Sequence, residues 1–528
     1  MTLPQPARIA IYDAWLGTLG GGEKHILAFA RALAEQHEVH FFSHSHVDPD
    51  RIGFLLSETL NNIRFFCIPL SPDLQLSSQF SSYDLFINAS HDSVLPRPAP
   101  HGLRFLFFPP SPPPRLPTLL ARALRPAHRI VGLPAFGPGF YGPERIGNTW
   151  YCATGARADL RMPGATGGGR SLSLMVGNPG ADPAGKPLRI LAGDQVLHEA
   201  NIPPTGGDFI PIGPIPLPPT SQDSLSITLI TETDDPEDVP DPLENRSLGL
   251  LVADPRTDAF LQSPVRILTR RLLPDLAVAV QRALTFPGRA ALGSYDAIVA
   301  NSAYTADWVE RWWGLPAVAI HPPVAPVPAT AQSTRPEILS VGRFFAGSHN
   351  KNHDHMVRWF GRLVAAGLRG WTLRLIGALG SHPDDRAYLQ RVRDLARGLP
   401  VEIHVDAPAA VLADAYNRAS IYWHAAGYGC HPRRHPERFE HFGISTVEAM
   451  SAGAVPLVFA GGGLRETVEP GISGYTWRNE AGLAEHTWRL VRDARLRRLL
   501  AAAAIVRSRE FSPARFESRI MAVVDALP

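Results

Sequence analysis

Short apolar runs alternate with segments of helical period in this chain, and the alternation occurs twice, on either side of a long stretch with little helical period. In the first series, Arg8 to Tyr12, Glu38 to Ser43, Ile63 to Leu70, Asp84 to Ala89 and Leu103 to Phe108 read as strands. Between them Ile26, Leu27, Phe29, Ala30, Leu33 and Ala34 recur at helical spacing. Strands punctuated by helices in this way predict a parallel sheet covered on both faces. From about 151 to 253 the pattern changes. Ser171 to Val176, Leu188 to Ala192, Phe209 to Ile212 and Leu225 to Glu232 are separated by Gly, Pro and Asp clusters, which predicts an inserted antiparallel sandwich.

Helical period returns over Pro264 to Leu284. It is followed by a strand over Asp296 to Asn301, a helix over Tyr304 to Trp313 and a strand over Val318 to Pro322. Pro322, Pro323, Pro326 and Pro328 then predict an extended linker. The second series has strands at Ile338 to Val341, Trp371 to Ile376, Val401 to Val405, Ile421 to His424 and Val455 to Ala460. Helices are expected over Lys351 to Ala366, Asp385 to Ala396, Ala409 to Arg418 and Ile444 to Ala452, then as one long Arg/Leu/Ala helix over Ala481 to Arg507. The 51 prolines are about twice the usual share of roughly 5% and gather largely in the insert and linkers.

Charge and cysteine usage exclude several classes. A net charge of +2 argues against a nucleic-acid binder working through a basic surface. Cys67, Cys152 and Cys430 lie far apart with no CxxC pair, so neither a disulfide framework nor a zinc ribbon is expected, and a reducing compartment fits. Met1 to Arg8 lacks a secretory pattern, and no run approaches the ~20 apolar residues that span a bilayer. The expectation is a cytoplasmic globular protein.

Three constellations bear on chemistry. Gly20, Gly21 and Gly22, followed by Glu23, lie between a strand and a helix, where bare backbone can approach an anion; an ordinary strand-to-helix turn reads the same. Arg343 closes the first strand of the second series, with Lys351 eight residues on at a helix start, a pair that could grip a diphosphate or merely be solvated. The chain has only three lysines (Lys24, Lys186, Lys351), which makes this one informative. The third runs from Glu440 to Glu448 across a loop-to-helix junction, with Gly443 allowing close approach and the Ile444 and Ser445 amides free to cap phosphate oxygens. Gly461, Gly462 and Gly463 follow the next strand, with Glu466 beyond.

Taken together, in order and spacing, these motifs resemble the retaining glycosyltransferases of the GT-B fold, of the large bacterial group 1 (family four) type, across both α/β halves. The resemblance implies an α/β fold of two Rossmann-like domains facing a cleft, the GT-B fold, and the residue pattern adds an all-β sandwich inserted in the first. From that pattern the boundaries are 1–150 and 254–328 for the first domain and linker, 151–253 for the insert and 329–509 for the nucleotide-sugar-binding domain. A last helix, about Pro513 to Leu527 within 510–528, would pack back on the first domain. By resemblance, Arg343 and Lys351 hold the donor diphosphate, Glu440 contacts the donor sugar and Glu448 the ribose. Gly443, Ile444 and Ser445 take phosphate, and Gly20, Gly21 and Gly22 face the diphosphate from across the cleft. The expected partners are a nucleotide-sugar donor and a glycan or lipid-linked acceptor in surface polysaccharide assembly, with no cofactor, no metal and no nucleic acid.

Family members often place a histidine after a late strand of the first domain. Here that run is Leu106, Phe107, Phe108, Pro109 and Pro110, so His91 stands either as a substitute sugar contact or as an ordinary loop residue. His424, ending a strand beside the cleft, is a further donor contact. His424, Cys430, His431, His435 and His441 fit no standard zinc spacing, and His353-Asp354-His355 reads as the exposed first turn of a helix. Two arginine-rich amphipathic stretches, Arg115 to Arg129 and Arg266 to Arg289, suit either a solvated face or peripheral contact with the cytoplasmic membrane face. A pyridoxal-dependent phosphorylase is excluded because no lysine follows Lys351, and an epimerase lacks the Glu440 to Glu448 arrangement. A glycan-binding protein of the same fold without turnover is the remaining alternative. The insert carries no catalytic constellation and reads as either a glycan-binding module or a spacer.

Overall fold

The computed structural model describes residues 3–14, 16, 21–44, 60, 62–68, 79–91, 93, 95–112, 135–137, 139–146, 149–163, 171–180, 182–219, 224–233, 248–257, 288–329, 334–347, 350–380 and 383–528. Gly20, Arg115 to Arg129 and the helix expected over Pro264 to Leu284 lie outside them, as does most of the second arginine-rich stretch.

Seven described strands, all parallel, form the first sheet. Edge to edge they are Val318–Ala319, Ala297–Ala300, His101–Leu106, Leu85–Asn88, Arg8–Tyr12, Glu38–Ser43 and Ile63–Cys67. The inner strands, buried on both faces, read as near-continuous apolar runs rather than alternations, while edge strand Ile63–Cys67 exposes Arg64, Phe66 and Cys67. Helix Gly21–Ala34 lays Ile26, Leu27, Phe29, Ala30 and Leu33 against the sheet. The last helix, Pro513–Asp525, belongs to the same core: Phe516, Ile520 and Val524 are buried there.

The second sheet has six described parallel strands, in the order Val401–Val405, Thr372–Gly377, Arg335–Val341, Ala419–His424, Val455–Phe459 and Tyr475–Trp477. Its helices include His353–Ala365, Pro383–Ala396, Ala409–Arg418 and Ile444–Ser451. The single long helix expected over Ala481 to Arg507 is two, Glu480–Arg492 and Ala494–Ser508. Asp493 breaks it by leaving helical geometry (φ −116°, ψ 91°), and its side chain accepts from Leu496 N at 2.9 Å to cap the second.

Between strand His101–Leu106 and strand Ala297–Ala300 the chain builds two five-stranded antiparallel sheets. Leu172, Leu174, Val176 and Val252 of one meet Leu160, Leu188, Ile190, Ile227 and Leu229 of the other in a common core. Antiparallel structure starts before the boundary at 151: Ala135–Phe136 and Phe140–Ile146 precede it and Thr149–Thr154 straddles it. These strands mix aromatic and charged residues, so neither composition nor period marks them off from the preceding lobe.

The chain passes between the α/β lobes twice, once by the proline-rich segment near Val324 and once near Phe511. The two passages touch, Val324 N donating to Phe511 O at 2.8 Å. No described helix is long and apolar enough to cross a membrane.

Candidate active site

Glu440 is the centre of the site. Lys351 Nζ donates to its Oε2, and His424 Nε2 lies 2.9 Å from the same oxygen. His424 ends its strand fully buried, and Ala426 N donates to its Nδ1 at 3.4 Å, so the ring proton belongs on Nε2, facing the carboxylate. Burial presses the Glu440 carboxyl upward, but the Lys351 ammonium and the His424 N–H outweigh it and hold it well below the usual carboxylate range. Burial keeps His424 below the ordinary histidine value despite the opposing pull of Glu440, so it serves as a neutral donor.

The loop carrying Glu440 is clamped from beneath by the triglycine run. Gly463 N donates to Glu440 O at 2.8 Å, and a Cβ at Gly463 would stand 1.8 Å from the His441 carbonyl oxygen. Gly443 then turns the chain with φ 99° into helix Ile444–Ser451. The first amides bonded back within this helix are Thr446 N and Val447 N, to Gly443 O, which leaves those of Ile444 and Ser445 at its start. Tyr422 OH donates to Ser445 Oγ at 2.8 Å, and Tyr416 OH to Glu448 Oε2 at 2.7 Å. These two tyrosines fix the orientation of Ser445 and Glu448.

Lys351, Glu440 and His424 are thus brought together, and Gly443, Ile444, Ser445 and Glu448 extend from the same loop and helix. Arg343 is not in the cluster: its exposed guanidinium lies over the Phe345 ring, 5.6 Å from the centroid. Across the cleft, a Cβ at Gly21 would lie 3.0 Å from Ile444 Cδ1, and one at Gly22 would meet the Phe107 ring at 3.2 Å. His91 is exposed on the turn after strand Leu85–Asn88. In the run where family members often place a histidine, Phe108 stacks on His441 at 4.4 Å, next in sequence to Glu440. The cluster weighed for zinc does not converge; among the described residues no three His, Cys, Asp or Glu gather to hold an ion. His353 corrects the expectation of an exposed first turn: it is fully buried against Phe344.

Residues 327–507 match the family model of glycosyl transferases group 1. This group 1 segment carries Arg343, Lys351, His424 and the whole Glu440 to Glu448 motif. Over 252 residues the chain is 27% identical to the mouse protein named GDP-Man:Man(3)GlcNAc(2)-PP-Dol alpha-1,2-mannosyltransferase, covering 44% of this chain and 49% of that one. A relative of the same name from Yarrowia lipolytica is 28% identical over 193 residues, 32% of this chain and 28% of that one. The chain thus spans about half the length of the mouse relative it matches, and less of the yeast one. Among solved structures, HepE of Anabaena in complex with UDP and glucose superposes with a TM-score of 0.51 at 11% identity, over 99% of this chain and 100% of that one. A glycosyltransferase from Rickettsia africae gives 0.52 at 10% identity, over 99% and 98%. At such identities the likeness is one of fold, the two-lobed GT-B arrangement.

Several contributors are not legible from sequence. Tyr416 and Tyr422 act across the sheet, where only tertiary packing pairs them with Glu448 and Ser445. Glu466 stands in the sequence simply as a carboxylate following the glycines, yet it accepts from Ala303 N (2.8 Å) and Tyr304 N (2.7 Å) and faces His321 Nε2 at 2.8 Å. It therefore caps helix Ala303–Trp313 of the opposite lobe.

Proposed function

We propose that the chain is a retaining, metal-independent glycosyltransferase that moves a sugar from a nucleotide-sugar donor to a glycan or lipid-linked acceptor in bacterial surface polysaccharide assembly. The observation that carries this reading is the Glu440 carboxylate, ionised and fixed between Lys351 and His424 at the C-terminal ends of parallel strands, where open α/β sheets bind ligands. Glu440 holds hydroxyls of the donor sugar. Lys351, Arg343 swung in from Phe345, and the Ile444 and Ser445 amides stabilise the charge that builds on the leaving diphosphate, so neither metal nor cofactor is required. Glu448, oriented by Tyr416, takes the ribose, and Gly20 to Gly22 face the diphosphate from the first lobe. The bond from the anomeric carbon to the diphosphate oxygen breaks as the acceptor oxygen bonds on the same face, and the departing phosphate takes the acceptor's proton. The names of the relatives, a GDP-mannose-dependent enzyme acting on a diphosphate-linked dolichol glycan, support a donor and acceptor of this kind. The two-sheet insert reads as a sandwich that holds growing glycan, and the enzyme works at the cytoplasmic membrane face.

The test is release of nucleoside diphosphate from a panel of UDP-, GDP- and ADP-sugars. The nucleoside diphosphate of one base should be released, and Glu440→Gln should lower the rate about 100-fold or more while the protein stays folded. Glu448→Gln should weaken donor binding about tenfold, the loss of one charged hydrogen bond. Neither release nor nucleotide binding from any donor would defeat the reading, and a product of inverted anomeric configuration by NMR would remove its stereochemical part.

A further inference from the structure

A pocket of about 510 Å³ opens beside the Glu440 site, and the donor reading makes no use of it. It lies between helix Ala303–Trp313 of the first lobe and the ends of strands Val455–Phe459 and Tyr475–Trp477 of the second. Its floor includes Phe439, Gly461 and Gly462, and Phe439 immediately precedes Glu440 in the loop that carries the donor carboxylate.

The charge of this pocket is lopsided. Arg311, Arg433, Arg465 and Arg478 line it against a single carboxylate, Asp307, which lies 4.0 Å from Arg311. Arg433, Arg465 and Arg478 come from three separate loops or helix starts, and their guanidiniums form no ion pair or hydrogen bond with any described residue. Converging guanidiniums without counter-charge repel one another, and the same convergence creates a field that concentrates anions. The planar guanidinium fork matches phosphate oxygens two at a time. Trp308, Tyr304 and Phe459 supply aromatic walls next to those forks, apolar faces suited to a sugar ring or an isoprenoid stem.

We propose that this pocket binds the phosphoryl group of the acceptor, a phosphate or diphosphate ester that carries the accepting sugar, and holds it beside the donor. The part about the acceptor rests on the donor reading above; the binding of a phosphoryl ester does not. Carboxylates are the lesser match, because the surplus of three arginines suits a dianion.

The full chain is titrated calorimetrically with glucose 1-phosphate and, separately, with UDP and GDP. The ester should bind, and the double variant Arg465→Gln/Arg478→Gln should weaken it about tenfold or more while nucleotide affinity is kept. Lys351→Ala should do the reverse. Cys430 lines the pocket and Cys67 does not, so the ester should slow alkylation of Cys430 and leave Cys67 unchanged. Co-sedimentation with vesicles containing phosphatidic acid, dependent on the same arginines, assigns the ester to a lipid, whereas binding of the soluble ester alone assigns it to a free sugar phosphate. Loss of the ester in Lys351→Ala but not in the arginine variant would place it on the donor site and overturn the proposal. So would equal affinity for glucuronate, or no binding of either phosphate probe. Ester binding without nucleotide binding would instead sink the donor reading and leave the pocket standing.

Discussion

His25 and His353 are both sealed from water, and neither nitrogen of either ring has a hydrogen-bond partner among the described residues. Burial pushes each down to about 3 from the ordinary 6.5, helped at His25 by His321 and at His353 by Lys351 and His424. The folded value lies below the unfolded one, so as pH falls below about 6.5 the unfolded chain takes up a proton that the folded chain refuses. Each histidine therefore removes about 1.4 kcal/mol of stability per pH unit down to about pH 3. The drop in urea midpoint between pH 7 and pH 5 should be smaller in His25→Leu than in the parent, and an equal drop would contradict the assignment. At this scale the sequence is partly legible. Lys351 is conspicuous because lysine is nearly absent, and Lys186, the other unusual one, donates to Leu248 O and Gly249 O inside the insert. His353 is not legible, because His-Asp-His at a helix start looks solvated until Phe344 is seen lying across it.

Among the elements, the second sheet is stapled at the end away from the site. Glu337 and Arg374 are buried on neighbouring strands, 3.5 Å apart, and Arg418 joins Glu337 while Arg374 reaches Glu402 at 2.8 Å. Removing one member strands the others: Glu337→Ala should cost about 3–5 kcal/mol, seen as a lower midpoint for the transition of the second lobe. A loss under about 1 kcal/mol would show that water or rearrangement compensates. Strands and helices of this lobe emerge from the pattern within a few residues because each strand is rich in Val, Ile and Leu or aromatic residues, although Glu337, Arg374 and Glu402 interrupt three of them. The break at Asp493 is hidden by a continuous Arg/Leu/Ala pattern, and strand Tyr475–Trp477 is too short to register.

At the scale of the molecule, the lobes are joined by specific contacts as well as by the chain. Glu466 takes the first amides of helix Ala303–Trp313, Tyr304 OH donates to Pro436 O at 2.9 Å, and Phe108 stacks on His441. Glu466→Ala leaves two amides without their acceptor. It should cost about 1–3 kcal/mol and raise the radius of gyration in solution scattering; unchanged scattering would mean that the other contacts hold the lobes by themselves. None of this can be foreseen from motif spacing, since it depends on how two separately folded sheets face each other. The two passages of chain between the lobes, bonded at Val324 and Phe511, have a mechanical meaning. Two threads that cross at one spot act as a pivot with a locked centre. Val324 and Phe511 pack there with Phe442 and Val447, so a rotation that opened the cleft would turn about that spot. Phe442 and Val447 flank the start of the helix that carries Glu448, which would set such a rotation at the edge of the candidate active site.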